Sequence, residues 1–145
     1  MRSLVCVDAG IVIKLVMKEP DSDLAESLWL SWLQNGIRPT APGLFRFEIT
    51  AVIRKAVYQG RASTEEGRQA LQKALAFTVT IFTPAGLHES AWELATRFNR
   101  PTAYDAHYLA LAEMLGCEFW TADRRLYNAV KEELPWVKWL SDFRP

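Results

Sequence analysis

"LVCVDAGIVIKLV", residues 4–16, is the stretch that decides the fold class. Residues 4–7 are an unbroken apolar run, rich in valine, that stops at Asp8. Such a run suits a strand buried on both faces, as in a parallel sheet. Helical text follows from about 10 to 17. Asp8 therefore stands where a strand ends and a helix begins, and it can cap that helix or belong to a site beyond the strand.

The same alternation continues outward. "EPDSD" (19–23) breaks the first helix, and Asp21 or Ser22 can cap a second running to about Asn35, with Leu24, Leu28 and Trp32 as its inner stripe. "IRPTAP" (37–42) reads as a short extended link. A long helix is predicted over about 43–59, closed by Gly60, with Phe45, Ile49, Val52, Ile53 and Ala56 inside. Ser63 and Glu66 have capping-box spacing for a helix reaching about Phe77, and "FTVTIF" (77–82) is strand-like. A helix over 86–98 buries Leu87, Ala91, Leu94, Ala95 and Phe98. "PTAYDAHYLALAEMLG" (101–116) holds a helix over 102–115, for which Thr102 and Asp105 fit a capping box. "CEFWTAD" (117–123) gives a strand and a turn, a helix covers about 124–133, and "WVKWL" (136–140) is a last strand. Short strands alternating with helices predict an α/β fold with a mostly parallel sheet covered on both faces.

Composition narrows the class. A chain of 145 residues, half of them apolar and six of them tryptophan, is expected to fold as a single domain over 1–145. Formal net charge is zero, so any nucleic-acid-binding surface must be local. Cys6 and Cys117 lack zinc-ligand spacing and read as buried, reduced thiols. The N-terminal apolar run is too short for a signal segment, and nothing approaches about 18 unbroken apolar residues. A cytoplasmic protein without a membrane span is expected.

Four acids stand at strand and helix ends: Asp8, Glu48, Asp105 and Asp123. Each has a plain role as a cap, a dipole partner or a solvated edge residue. In one crevice they would repel one another, which a hard divalent cation relieves. Mg²⁺ and Mn²⁺ prefer oxygen ligands, and such sites serve phosphodiester hydrolysis.

The stretches "VCVDAG", "LFRFEITAVIRKA", "TAYDAHYLALAEMLG" and "FWTADRRL", in this order, resemble PIN-domain nucleases, the small VapC-type toxins in particular. The resemblance spans nearly the whole chain. It implies a three-layer α/β/α sandwich and a Mg²⁺- or Mn²⁺-dependent endoribonuclease that is the toxin of a toxin–antitoxin pair. An RNA substrate, a small antitoxin partner and a homodimer come with it. It maps the metal site onto Asp8, Glu48, Asp105 and Asp123, and Thr121 matches the family's hydroxyl before the final acid. Three positions depart from the family: Gly10 replaces Ser or Thr, Ala51 replaces a frequent Asn, and Arg125 stands where some members carry another acid.

Arg100, Arg124 and Arg125 flank the proposed crevice and are candidate RNA phosphate contacts. His107 lies about 200° round its helix from Asp105 and is expected to be structural, and His88 to be solvated. The tryptophans read as core or subunit interface. Two rivals compete with the nuclease. One is a PIN-like binding module with weak or no chemistry, suggested by Gly10 and Ala51. The other is a phosphatase using Asp8 as nucleophile, which would want a second Asp where Gly10 stands.

Overall fold

The computed structural model describes residues 3–145; Met1 and Arg2, at the start of the expected domain span, lie outside the described residues. Strand β1 (Leu4–Val7) leads into helix α1 (Ala9–Val16) through Asp8, whose Oδ1 accepts the Ile11 amide at 3.1 Å. Then come α2 (Ser22–Gln34), β2 (Arg38–Ala41), α3 (Leu44–Tyr58), α4 (Thr64–Ala76), β3 (Thr80–Ile81), α5 (Leu87–Arg97) and α6 (Tyr104–Leu115). The chain closes with β4 (Glu118–Thr121), α7 (Arg124–Val130), β5 (Val137–Trp139) and a 3₁₀ turn at Leu140–Asp142.

All five strands are parallel, in the order β3-β2-β1-β4-β5. From β1 the chain winds to one side through β2 and β3, then crosses to the other side for β4 and β5. Right-handed crossovers put α1–α4 on one face and α5–α7 on the other, which makes the α/β/α sandwich. The contacts agree: α1 packs on α2, α3 and α4, while α5 packs on α6, and α6 on β1 and β4. Between the layers lie Val5, Cys6, Val7, Ile11, Leu109, Leu111 and Phe119, all buried. α4 sits close on α3 because Gly67 has no side chain; a Cβ there would come within 2.5 Å of Val57 Cγ2.

The differences from expectation have physical causes. The "link" at 37–42 contains β2, an inner strand, with Pro39 paired to Val5. Proline argues against an inner strand because it cannot donate to the ladder. Here Thr40 compensates, its buried hydroxyl donating to the Val5 carbonyl at 2.9 Å. The apolar stripe of α2 is rotated: Ala25, Leu28, Trp29 and Trp32 are buried, and Leu24 only partly. Asp21 makes no cap bond; Ser22 instead accepts the Glu19 amide and closes the loop before α2. β3 keeps only two residues of "FTVTIF". The Ser63–Glu66 capping box forms, each side chain accepting from the other's backbone. The Thr102–Asp105 box does not: α6 starts after Ala103 with no side-chain cap, and Asp105 turns to another partner. Of the tryptophans, Trp29 and Trp32 are core, Trp92 is 68% exposed, and the other three are half-buried.

Candidate active site

In open α/β sheets the crevice lies beyond the carboxyl ends of the strands, where the winding direction reverses. Here that is the junction of β1 and β4. A cleft of about 340 Å³ opens there, and Asp8, Glu48, Asp105 and Asp123 all line it. β1 delivers Asp8, and the turn after β4 delivers Asp123. The second turn of α3 delivers Glu48, and the first turn of α6 delivers Asp105.

Each carboxylate is anchored by the protein, Asp8 through both oxygens and the other three through one. Asp8 accepts the Ile11 amide on Oδ1 and the Thr121 hydroxyl on Oδ2. Thr121 in turn accepts the Asp123 amide at 2.9 Å, so one buried hydroxyl couples two acids. Asp123 caps α7, its Oδ1 accepting the Arg125 and Leu126 amides at 2.9 and 3.2 Å. Glu48 Oε1 accepts the Tyr108 hydroxyl at 2.7 Å. Asp105 Oδ2 receives both Nε and Nη2 of Arg100, at 3.2 and 2.9 Å. Its Oδ1 is buried with no hydrogen-bond partner among the described residues.

The acids sense one another. Burial pushes the Asp8 carboxyl up to about 6, against the pull of its bonds from Thr121 and Ile11, and Glu48 adds to the rise. Burial also raises Glu48, with Asp105 contributing and the Tyr108 bond opposing. Tyr108 is raised well above its ordinary value by burial and by Glu48, so its proton stays on the phenol. A hydroxyl that keeps its proton is a fixed donor to Glu48.

The donor set suits a hard cation: oxygen only, with one buried oxygen that nothing satisfies. Among the described residues, however, no three His, Cys, Asp or Glu side chains converge closely enough to hold a metal ion. The four carboxylates share a cleft, each anchored separately, and are not drawn into one cluster. Closing on an ion would use side-chain rotation of the unanchored oxygens.

Sequence reasoning missed three polar residues of the cleft: Lys14, Glu19 and Tyr108. Tyr108 lies three residues after Asp105 and so on the same helix face, a spacing that could have found it. Lys14 Nζ donates to the Pro20 carbonyl at 2.7 Å and lies 3.6 Å from Glu19 Oε1. Both residues also line an adjoining groove of about 540 Å³. Arg100 is spent on Asp105. Arg124 lies over the Trp139 ring, 5.8 Å from its centre, and both it and Arg125 are exposed. Gly10 lines the cleft, and a Cβ on it would stand 3.3 Å from Asp8 Oδ1. Ala51 is exposed.

The family model for the PIN domain matches residues 5–132, a span holding all four acids. This chain belongs to the PIN-domain family. Among similar proteins, the VapC ribonuclease Mb0985 of Mycobacterium bovis is 37% identical over 94 residues, 65% of this chain and 72% of that one. Ribonuclease VapC9 of Mycobacterium tuberculosis matches to the same extent. The crystal structure of Mycobacterium tuberculosis VapC20, described as a Sarcin-Ricin loop cleaving toxin, superposes with a TM-score of 0.64 at 19% identity. It covers 86% of this chain and 94% of its own. PAE2754 from Pyrobaculum aerophilum gives a TM-score of 0.65 at 22% identity, over 89% of this chain and 86% of its own. These two likenesses establish the fold of this PIN domain. Among its described residues, no helix is long and apolar enough to cross a membrane.

Proposed function

We propose that this PIN domain, one domain over 1–145, is a metal-dependent endoribonuclease and the toxin of a toxin–antitoxin pair. The observation that carries the chemistry is the shared cleft. Acids 115 residues apart in sequence (123 − 8) line one cavity at the sheet's switch point, with Asp105 Oδ1 buried and unsatisfied. The similarity to VapC ribonucleases supports RNA as substrate and a small antitoxin as partner, and the proposal extends to a homodimer as the working state and the cytoplasm as location.

Asp8, Glu48, Asp105 and Asp123 would hold Mg²⁺ or Mn²⁺. Such an ion supplies a water acidic enough to attack a phosphodiester near neutral pH and neutralises charge on the leaving oxygen. The chain's own residues set the stage. Thr121 fixes the relative placement of Asp8 and Asp123. Tyr108 fixes Glu48, and Arg100 fixes Asp105 with its second oxygen turned inward. Lys14 brings positive charge to the cleft for the phosphate of the strand.

Purified protein incubated with Mn²⁺ and RNA tests this reading. Wild type cleaves internally, and Asp105→Asn abolishes cleavage while the protein stays folded, with a melting temperature lowered only by the weakened Arg100 pair. One observation favours a rival, a binding module without turnover: both oxygens of Asp8 are already engaged. Failure to cleave any of a broad set of RNAs, while still binding them, would decide for that rival.

A further inference from the structure

The chain has two histidines, and the fold brings them together. His88, exposed in the first turn of α5, places Nδ1 2.9 Å from Nε2 of His107 on α6. The ring centres are 5.1 Å apart and the planes cross at 67°. Neither ring lines the acidic cleft. We infer that His88 and His107 form a second cation site, a clamp between α5 and α6 for a borderline divalent transition ion such as Zn²⁺ or Ni²⁺.

The tautomer of His107 carries the argument. Its Nδ1 lies 2.6 Å from the Ala103 carbonyl, which can only accept. Nδ1 therefore bears the proton, and Nε2 presents a bare lone pair toward His88. A backbone carbonyl holding the far ring nitrogen is the support that metal-ligating histidines ordinarily have. In the ion-free protein, the His88 Nδ1–H donates to that lone pair. For ligation the His88 proton moves to its solvent-facing Nε2 through water, and Nδ1 is freed. The proton only changes nitrogen within His88. Two nitrogens on a tetrahedral ion at about 2.0–2.1 Å sit about 3.3 Å apart, so the rings separate by about 0.4 Å and each turns by about 35° to aim its lone pair at the ion.

The site differs in kind from the acidic cleft. Imidazole favours Zn²⁺, Ni²⁺ and Cu²⁺, whereas carboxylates favour Mg²⁺ and Mn²⁺. Among the described residues no third His, Cys, Asp or Glu completes the pair, so water fills the remaining positions and the ion exchanges freely. Its occupant fastens α5 to the turn at Ala103–Asp105, because His107 already grips the Ala103 carbonyl. This inference does not depend on the nuclease reading.

Chelator-treated protein, held in excess Mg²⁺ to saturate oxygen sites, is titrated with Ni²⁺ by calorimetry. Amide exchange over α5 and α6 is followed in parallel. The expected result is one Ni²⁺ per chain, slower exchange across both helices, and at least tenfold weaker binding in His88→Gln and in His107→Gln. Asp8→Asn should bind Ni²⁺ like wild type. Because His88 is exposed, its variant decides the matter even if His107→Gln folds poorly. Absence of Ni²⁺ binding, binding that survives His88→Gln, or binding lost in Asp8→Asn would each overturn the clamp.

Discussion

Arg100 holds Asp105 by a single oxygen. Two guanidinium nitrogens converge on Oδ2, while Oδ1 of the same carboxylate is left buried and unpartnered among the described residues. The side chains are 18% and 26% exposed, so water screens this pair only in part. Arg100 sits in the loop before α6, where the sequence suggested a phosphate contact. Its charge is instead committed to aiming an acid of the cleft.

Arg100→Ala should therefore destabilise the metal-free protein. Removing one partner of a fully buried pair costs about 3–5 kcal/mol, and partial exposure reduces this to about 1–2 kcal/mol. Adding Mn²⁺ should then raise the melting temperature of the variant more than that of wild type, because the stranded carboxylate gains a cation. Melting curves with and without Mn²⁺ check this. Equal increments in the two proteins would count against Asp105 as a ligand.

Much of this was legible in the sequence. The valine run before Asp8, the helix stripes and the acids at element ends follow from periodicity and sufficed for the α/β order. The capping role of Asp8 was legible because it immediately precedes a helical run, whereas Asp123 read as a dipole-favoured acid with Thr121 near the cap, and it is Asp123 itself that caps α7. What local text does not carry is side-chain pairing across the fold. Thr102 and Asp105 have the spacing of a capping box, yet a guanidinium five residues upstream outcompetes a cap bond that is worth about 1 kcal/mol. Pro39 misled because its compensation, the Thr40 bond to Val5, spans 35 residues. Likewise Tyr108 reveals itself as the anchor of Glu48 only once 60 residues are folded away.

The Asp8 carboxyl predicts how metal-free stability depends on pH. It is raised from 3.8 to about 6, chiefly by burial, so the folded state holds its proton more tightly than the unfolded chain. The stabilisation is full below the unfolded value and is lost as pH rises through about 6. A shift of about two units amounts to about 3 kcal/mol. Glu48, also raised, acts in the same direction. Urea melts in chelator should show wild type losing stability relative to Asp8→Asn between pH 4 and 7. The variant should be the more stable of the two at pH 7.5. A wild type that gains on the variant over that range would contradict the burial of an uncompensated charge.

Thr121 is the hinge between two acids, donating to Asp8 and accepting from the Asp123 amide. Thr121→Val keeps the shape but removes both bonds and leaves the partly buried Asp123 amide without its acceptor. We expect a loss of about 1–3 kcal/mol. RNA cleavage should fall at least tenfold through kcat, with KM little changed, since placement of ligands and not substrate binding is disturbed. Thr121→Ser should restore most of both. If valine and serine behave alike, the hydroxyl plays no positioning role.

Lys14 is the cation that the cleft itself supplies. It lines both the acidic cleft and the adjoining groove, and in the free protein it rests on the Pro20 carbonyl and Glu19. A phosphate entering between these cavities brings Lys14 an anionic acceptor within hydrogen-bond reach, whereas in the free protein its bonded acceptor is a neutral carbonyl and Glu19 lies 3.6 Å away. Lys14→Ala should weaken RNA binding to a similar degree for every sequence. The slope of log affinity against log salt should become shallower by about one, the signature of a single lost phosphate contact. Binding measured from low to moderate salt, on the Asp105→Asn background so that RNA stays intact, reads the slope directly. An unchanged slope together with a lowered melting temperature would confine Lys14 to holding the loop before α2.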